Sequence, residues 1–132
     1  MYKVELRHKK DLTFSVKSGG YEFAIDAKGK DGISPPDTLL ASLASCIGVY
    51  ISKYSAGSKL GLEGFEISAE AEFTKESPFL FKEIKVTIDL KGIKLDERRE
   101  KALLEFIKNC PVHNTLEAKP EVKIELKDGN KS

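Results

Sequence analysis

The stretch Ser34–Gly57, SPPDTLLASLASCIGVYISKYSAG, governs how the rest of the chain must be arranged. Ser34 can cap a helix and Pro35 suits its first position. Asp37 places a negative charge in the first turn, where the macrodipole favours it. The spacing predicts a helix through about Ala56, stopped at Gly57 by glycine's access to left-handed backbone. Leu39, Leu43, Ile47, Val49, Tyr50 and Ile51 put apolar side chains on nearly every side. A helix that is apolar all round is buried at the centre of its molecule. Ala41, Ala44, Ser45 and Gly48 form a small-residue stripe, which lets another backbone approach closely, from this chain or a partner.

Working outward, the hydrophobic period changes from helical to alternating. Val4 and Leu6, then Leu12, Phe14 and Val16, then Tyr21, Phe23 and Ile25 predict three short strands, the last two joined by Ser18-Gly19-Gly20. Each has one apolar face, so the sheet needs a cover. Asp26–Ser34 is a polar connection with two glycines. Beyond the helix, Phe65 to Phe73 and Ile84 to Leu90 alternate as two long strands around a turn at Lys75 to Pro78. An amphipathic helix is expected from about Asp96 to Asn109, a tight turn from Cys110 to Leu116, and a closing strand through Val122, Ile124 and Leu126. The tail from Asp128 to Ser132 should fray. Strands in antiparallel blocks predict an α+β fold, with sheets packed around a buried central helix plus one amphipathic helix.

The length of 132 residues fits a single domain over 1–132, large enough to build a core without staples. A chain 40% hydrophobic and 33% charged is too apolar for disorder. The 22 basic and 21 acidic side chains are mixed along the length. No basic run exceeds Lys9-Lys10 with its neighbours Arg7 and His8, so no nucleic-acid partner is expected. Neither a run of ~20 apolar residues nor a signal core is evident, which predicts a cytoplasmic protein with no membrane partner. Abundant Lys and Glu, with no Gln or Trp, match the composition of heat-adapted proteins.

Two cysteines carry the chemistry. Cys46 lies 11 residues past Pro35, about 16 Å along the helix axis, beyond the reach of the helix dipole. Burial alone would leave it an inert packing residue, so a reactive Cys46 requires a cation delivered by tertiary structure. Cys110 opens the string CPVHNTL. Pro111 suits the first position of a short helical turn, whose free N–H groups favour a thiolate at Cys110. His113 sits over the same turn, where it is expected to satisfy backbone groups. Two Cys and two His are zinc-ligand types, but no pair has C-x₂-C spacing. Cys46 and His113 carry no protease signature, and GKDG at Gly29–Gly32 lacks P-loop spacing. No metal or other cofactor is expected.

The string GISPPDTLLASLASC, followed 64 positions after its cysteine by CPVHNTL, resembles the OsmC/Ohr family of thiol-dependent peroxidases. The order of elements resembles that family along essentially the whole chain. The resemblance implies an intertwined homodimer with two sites at the subunit boundary. It also implies reduction of hydroperoxides, organic ones preferentially. Cys46 would be the peroxidatic cysteine, passing through a sulfenic acid, and Cys110 the resolving one. A dithiol reductant, lipoyl in Ohr members, would reset the pair. Family members hold the thiolate with an arginine near the first strand turn, oriented by a glutamate at the start of the buried helix. The matching residues here are Arg7, with Lys9 or Lys10 as alternatives, and Asp37, one methylene shorter than glutamate. The other reading of the same scaffold is a non-catalytic protein that binds a small hydrophobic ligand.

Overall fold

Ser34 caps the central helix as its chemistry dictates. The Asp37 N–H donates to Ser34 Oγ at 3.2 Å, and Ser34 Oγ donates to Asp37 Oδ2 at 2.7 Å. The structure, a computed structural model, describes residues 1–130. Lys131 and Ser132 of the expected fraying tail lie outside the described residues. The order is β1 (Glu5–Lys10), β2 (Thr13–Ser18), β3 (Tyr21–Asp26), α1 (Pro35–Ser58), β4 (Glu66–Glu70), β5 (Lys85–Asp89), α2 (Glu97–Ile107) and α3 (Pro111–Ala118). The class is α+β, with an antiparallel sheet β1-β2-β3 and an antiparallel pair β4-β5.

α1 does not stop at Gly57. It runs to Ser58, and Lys59 takes the left-handed cap at φ 57°. Tertiary packing sets the end. Ser55 Oγ accepts the Leu62 N–H at 2.9 Å, which turns Leu62 back into the core. One stripe of α1, Leu40, Leu43, Ile47 and Ile51, is buried, whereas Leu39 and Val49 are 40% and 49% exposed. A single chain therefore covers one side of the helix rather than all of it. By length and composition α1 could also cross a membrane, which the sequence reading did not anticipate. The small-residue stripe faces β4 at Gly48. A Cβ there would meet Ile67 Cδ1 at 3.4 Å, an ordinary contact, so β4 lies close to the helix at this point.

The β4–β5 pair is shorter than its alternation predicts, and a separate bridge joins Phe73 to Phe81. Its inner residues Ile67, Val86 and Ile88 pack against a cluster of Leu43, Ile47, Ile51, Leu62, Leu103 and Cys110. Among the described residues, β1–β3 contributes nothing to that cluster, and Leu6, Tyr21 and Phe23 of its apolar side chains are exposed. Cys110–Leu116 is not a tight turn but the start of α3. Pro111 occupies the first turn, and Thr115 Oγ1 donates to the Pro111 carbonyl at 2.7 Å. The expected closing strand is likewise absent among the described residues. Val122, Ile124 and Leu126 are 78%, 91% and 71% exposed and unpaired, because alternation supplies a strand face but not an edge to pair with.

Asp26 ends β3 and pins the connection to α1. Its Oδ1 accepts the Lys28 N–H and its Oδ2 the Asp31 N–H, both at 2.9 Å. Those bonds, Asp31's first, hold the carboxyl below its ordinary 3.8. The charged form is favoured in the fold, so this stabilisation is present above the unfolded value and lost as pH falls through the folded one. Asp26→Asn retains one acceptor oxygen. It is expected to lower the urea midpoint at neutral pH, with the gap to wild type closing below the ordinary carboxylate range. Urea titrations across that range check this.

Candidate active site

Both cysteines are free thiols. Cys46 is half-buried, at the edge of the buried stripe of α1 beside Leu43 and Ile47, and it packs on the cluster that contains Cys110. Cys110 is fully buried between α2 and α3. Its N–H donates to the Ile107 carbonyl at 3.0 Å, ending α2. Its carbonyl accepts from Asn114 at 3.0 Å, and its Sγ accepts the His113 N–H at 3.4 Å, starting α3. One residue thus closes one helix and caps the next.

The helix start does not make Cys110 a thiolate, contrary to the expectation from sequence. Burial pushes the thiol above its ordinary 9.0, and adjacent Cys46 pushes the same way. The His113 N–H pulls downward, but by less. Desolvation of a sulfur with no exposed surface outweighs one N–H contact. Cys110 therefore carries its proton at neutral pH.

The structure joins these two residues and leaves Arg7 and Asp37 apart from them. Arg7 is exposed on β1, opposite Ser15, in a shallow polar pocket with Glu5, Lys9, Lys17 and Glu22. Asp37 is exposed and bonded to its own cap, about 13 Å along the axis from Cys46. Arg98 and Arg99 are exposed on α2. The His113 ring bonds no backbone group. Nε2 lies 3.5 Å from Glu117 Oε1, and Nδ1 is buried without a partner. Among the described residues, no group of three His, Cys, Asp or Glu side chains could hold a metal ion.

Sequence reasoning missed an apolar cleft of about 870 Å³ walled partly by α1. Leu43, Ile47, Val86 and Ile88 form one side, while Ile107 and Leu116 form another. Phe73 and Phe81, stacked 4.6 Å apart, close one end. Lys82, His113, Glu117 and Lys119 stand among its polar groups. Leu43 and Ile47 lie near Cys46 in sequence, and Ile107 and His113 near Cys110, but neither cysteine lines the cleft. The alternation of β5 was a usable signal for one wall. The approach of Phe73 to Phe81 had none.

An α+β chain with one cysteine mid-helix, packed on a second at a helix cap, is a two-cysteine protein of a recognisable class. The family model for OsmC-like protein matches residues 27–125, and the chain belongs to that family. Its fold is similar to the OsmC-like protein from Mycoplasma pneumoniae (20% identity, TM-score 0.77), covering 89% of this chain and 87% of that one. It is also similar to a putative osmotic stress induced and detoxification response protein from Psychrobacter arcticus (23% identity, TM-score 0.74), covering 87% and 88%. The organic hydroperoxide resistance protein OhrB of Bacillus subtilis (22% identity, TM-score 0.57) matches over 87% and 90%. No curated protein matches the chain.

Proposed function

We propose that the chain reduces hydroperoxides, organic ones by preference, through Cys46 and Cys110. The Cys46 thiolate attacks the terminal peroxide oxygen, the O–O bond breaks, and the alkoxide leaves and takes up a proton as the alcohol. Cys46 is then a sulfenic acid. Cys110 attacks its sulfur, water leaves, and a disulfide links α1 to the start of α3. A dithiol, lipoyl-type among the candidates, returns both thiols by exchange in a reducing cytoplasm. The observation that carries this reading is the pairing of the two sulfurs, 64 positions apart in sequence and side by side in one core. The apolar cleft, lined by Leu43, Ile47 and Ile107 from the helices that carry or precede the cysteines, suits an organic substituent on the peroxide.

The cation that holds the thiolate is assigned to Arg7 of a second copy in a homodimer, with Asp37 orienting it. Support comes from surfaces a single chain leaves open: the apolar face of β1–β3, Val49 of α1, and the unpaired segment around Ile124. Lys9 and Lys10 stand on the same strand as alternatives. Reduced protein mixed with cumene hydroperoxide and dihydrolipoamide should consume peroxide. Without the dithiol, it should lose two thiols and two mass units per chain. The cleft favours a second reading, a non-catalytic protein that holds a small hydrophobic ligand. Unchanged peroxide and intact thiols, together with saturable binding of a small apolar ligand, would establish that reading instead.

A further inference from the structure

Cys110 is a poor nucleophile in the state the structure describes. It is fully buried and keeps its proton, yet it must lose that proton while attacking Cys46. Water cannot take the proton from a sulfur with no exposed surface. A group inside the fold has to.

His113 is built into the same turn. Its backbone N–H contacts Cys110 Sγ at 3.4 Å, so His113 belongs to the turn that this sulfur caps. One turn further along, Glu117 Oε1 lies 3.5 Å from Nε2. A carboxylate there favours the tautomer with its proton on Nε2 and leaves Nδ1 with a free lone pair. Nδ1 is closed to solvent and has no hydrogen-bond partner. A buried polar nitrogen left unpaired in a native fold calls for a reason, and a proton-accepting role supplies one.

We propose that His113 is the proton acceptor of the resolving step: Nδ1 takes the Cys110 proton as that sulfur attacks the Cys46 sulfenic acid. The inference rests on the peroxidase reading above. The Cys46–Cys110 S–S bond forms as the Cys46 S–O bond breaks, and Cys110 supplies the electron pair. The departing hydroxide takes the proton back from the imidazolium and leaves as water. The hydroperoxide consumed in the first step is the oxidant, so no further reagent is needed. The ionisable groups around the ring are Glu117 on its own helix, Cys110 at the cap, Cys46 on α1, and Lys82 and Lys119 among the lining of the cleft.

Single-turnover mixing with cumene hydroperoxide separates the two steps. A dimedone-type probe reads the sulfenic acid, and loss of free thiols reads closure. His113 lines the cleft, so closure of His113→Gln is timed from the sulfenic acid already formed, separately from peroxide entry. Closure should slow about 10²-fold, the lower end of general-base effects. Glu117→Gln, an exposed change, guards against a misfolded His113 variant. It should slow closure severalfold, as the carboxylate no longer holds the imidazole with its proton on Nε2. Diamide drives the same attack by Cys110 without any peroxide. If hydroperoxide yields no sulfenic acid, the peroxidase reading fails, and diamide-driven closure in the same variants still decides the role of His113. Closure rates unchanged in both variants overturn the inference.

Discussion

Cys46→Ser is expected to reduce peroxide consumption to the level of buffer, while Cys110→Ser is expected to stop after one equivalent with a trapped sulfenic acid. A serine hydroxyl at position 46 cannot form an anion near neutral pH and cannot be oxidised to an acid that a thiol resolves, so the first step disappears. Position 110 differs because the first step does not use it. Serine is also a stronger helix cap than cysteine, and its Oγ can accept the His113 N–H that Cys110 Sγ accepts now. α3 should keep its start, so a stalled cycle reports the missing sulfur rather than a lost helix. Mass spectrometry checks this as a gain of one oxygen on Cys46 in Cys110→Ser. Turnover retained by Cys46→Ser would remove Cys46 from the chemistry.

The largest stability effect is expected at Ile51. Its side chain has no exposed surface and sits in the cluster that holds Cys110. Ile51→Ala should cost about 2–5 kcal/mol, transfer of the lost methyl groups plus the cavity left behind, and Ile51→Val only about 0.5–1.5 kcal/mol. Urea denaturation of both variants measures the difference. Val49, two residues earlier on the same helix, is the informative companion. At 49% exposure in one chain, Val49→Ala should change stability by no more than about 0.5 kcal/mol if nothing covers it. A cost above about 1 kcal/mol, growing with protein concentration, signals a second copy seated on that face.

The sequence was most legible where local rules and tertiary needs agree. Ser34, Pro35 and Asp37 marked the start of α1, and that start is where they put it. The alternation from Phe65 and from Ile84 gave β4 and β5 with their inner faces correctly assigned. It misled where a local signal lost to packing. Gly57 offered a cheap stop for α1, but burying Leu62 made Lys59 the left-handed residue. Val122, Ile124 and Leu126 have the face of a strand but pair with no strand among the described residues.

The candidate site divides in the same way. That a thiol mid-helix and a second thiol in CPVHNTL carry the chemistry could be read from residue types and from the likeness of the two strings. Composition and period also determined the α+β class, because burying an apolar helix against alternating strands leaves few arrangements. Only the tertiary structure decided that burial outweighs the helix-start N–H at Cys110, and that Arg7 and Asp37 stand apart from Cys46 in one chain. It alone revealed an apolar cleft walled by α1 and β5 and a His113 nitrogen left unpaired. Those features depend on which distant surfaces exclude water from a given atom, and a linear pattern records neighbours along the chain, not neighbours across it.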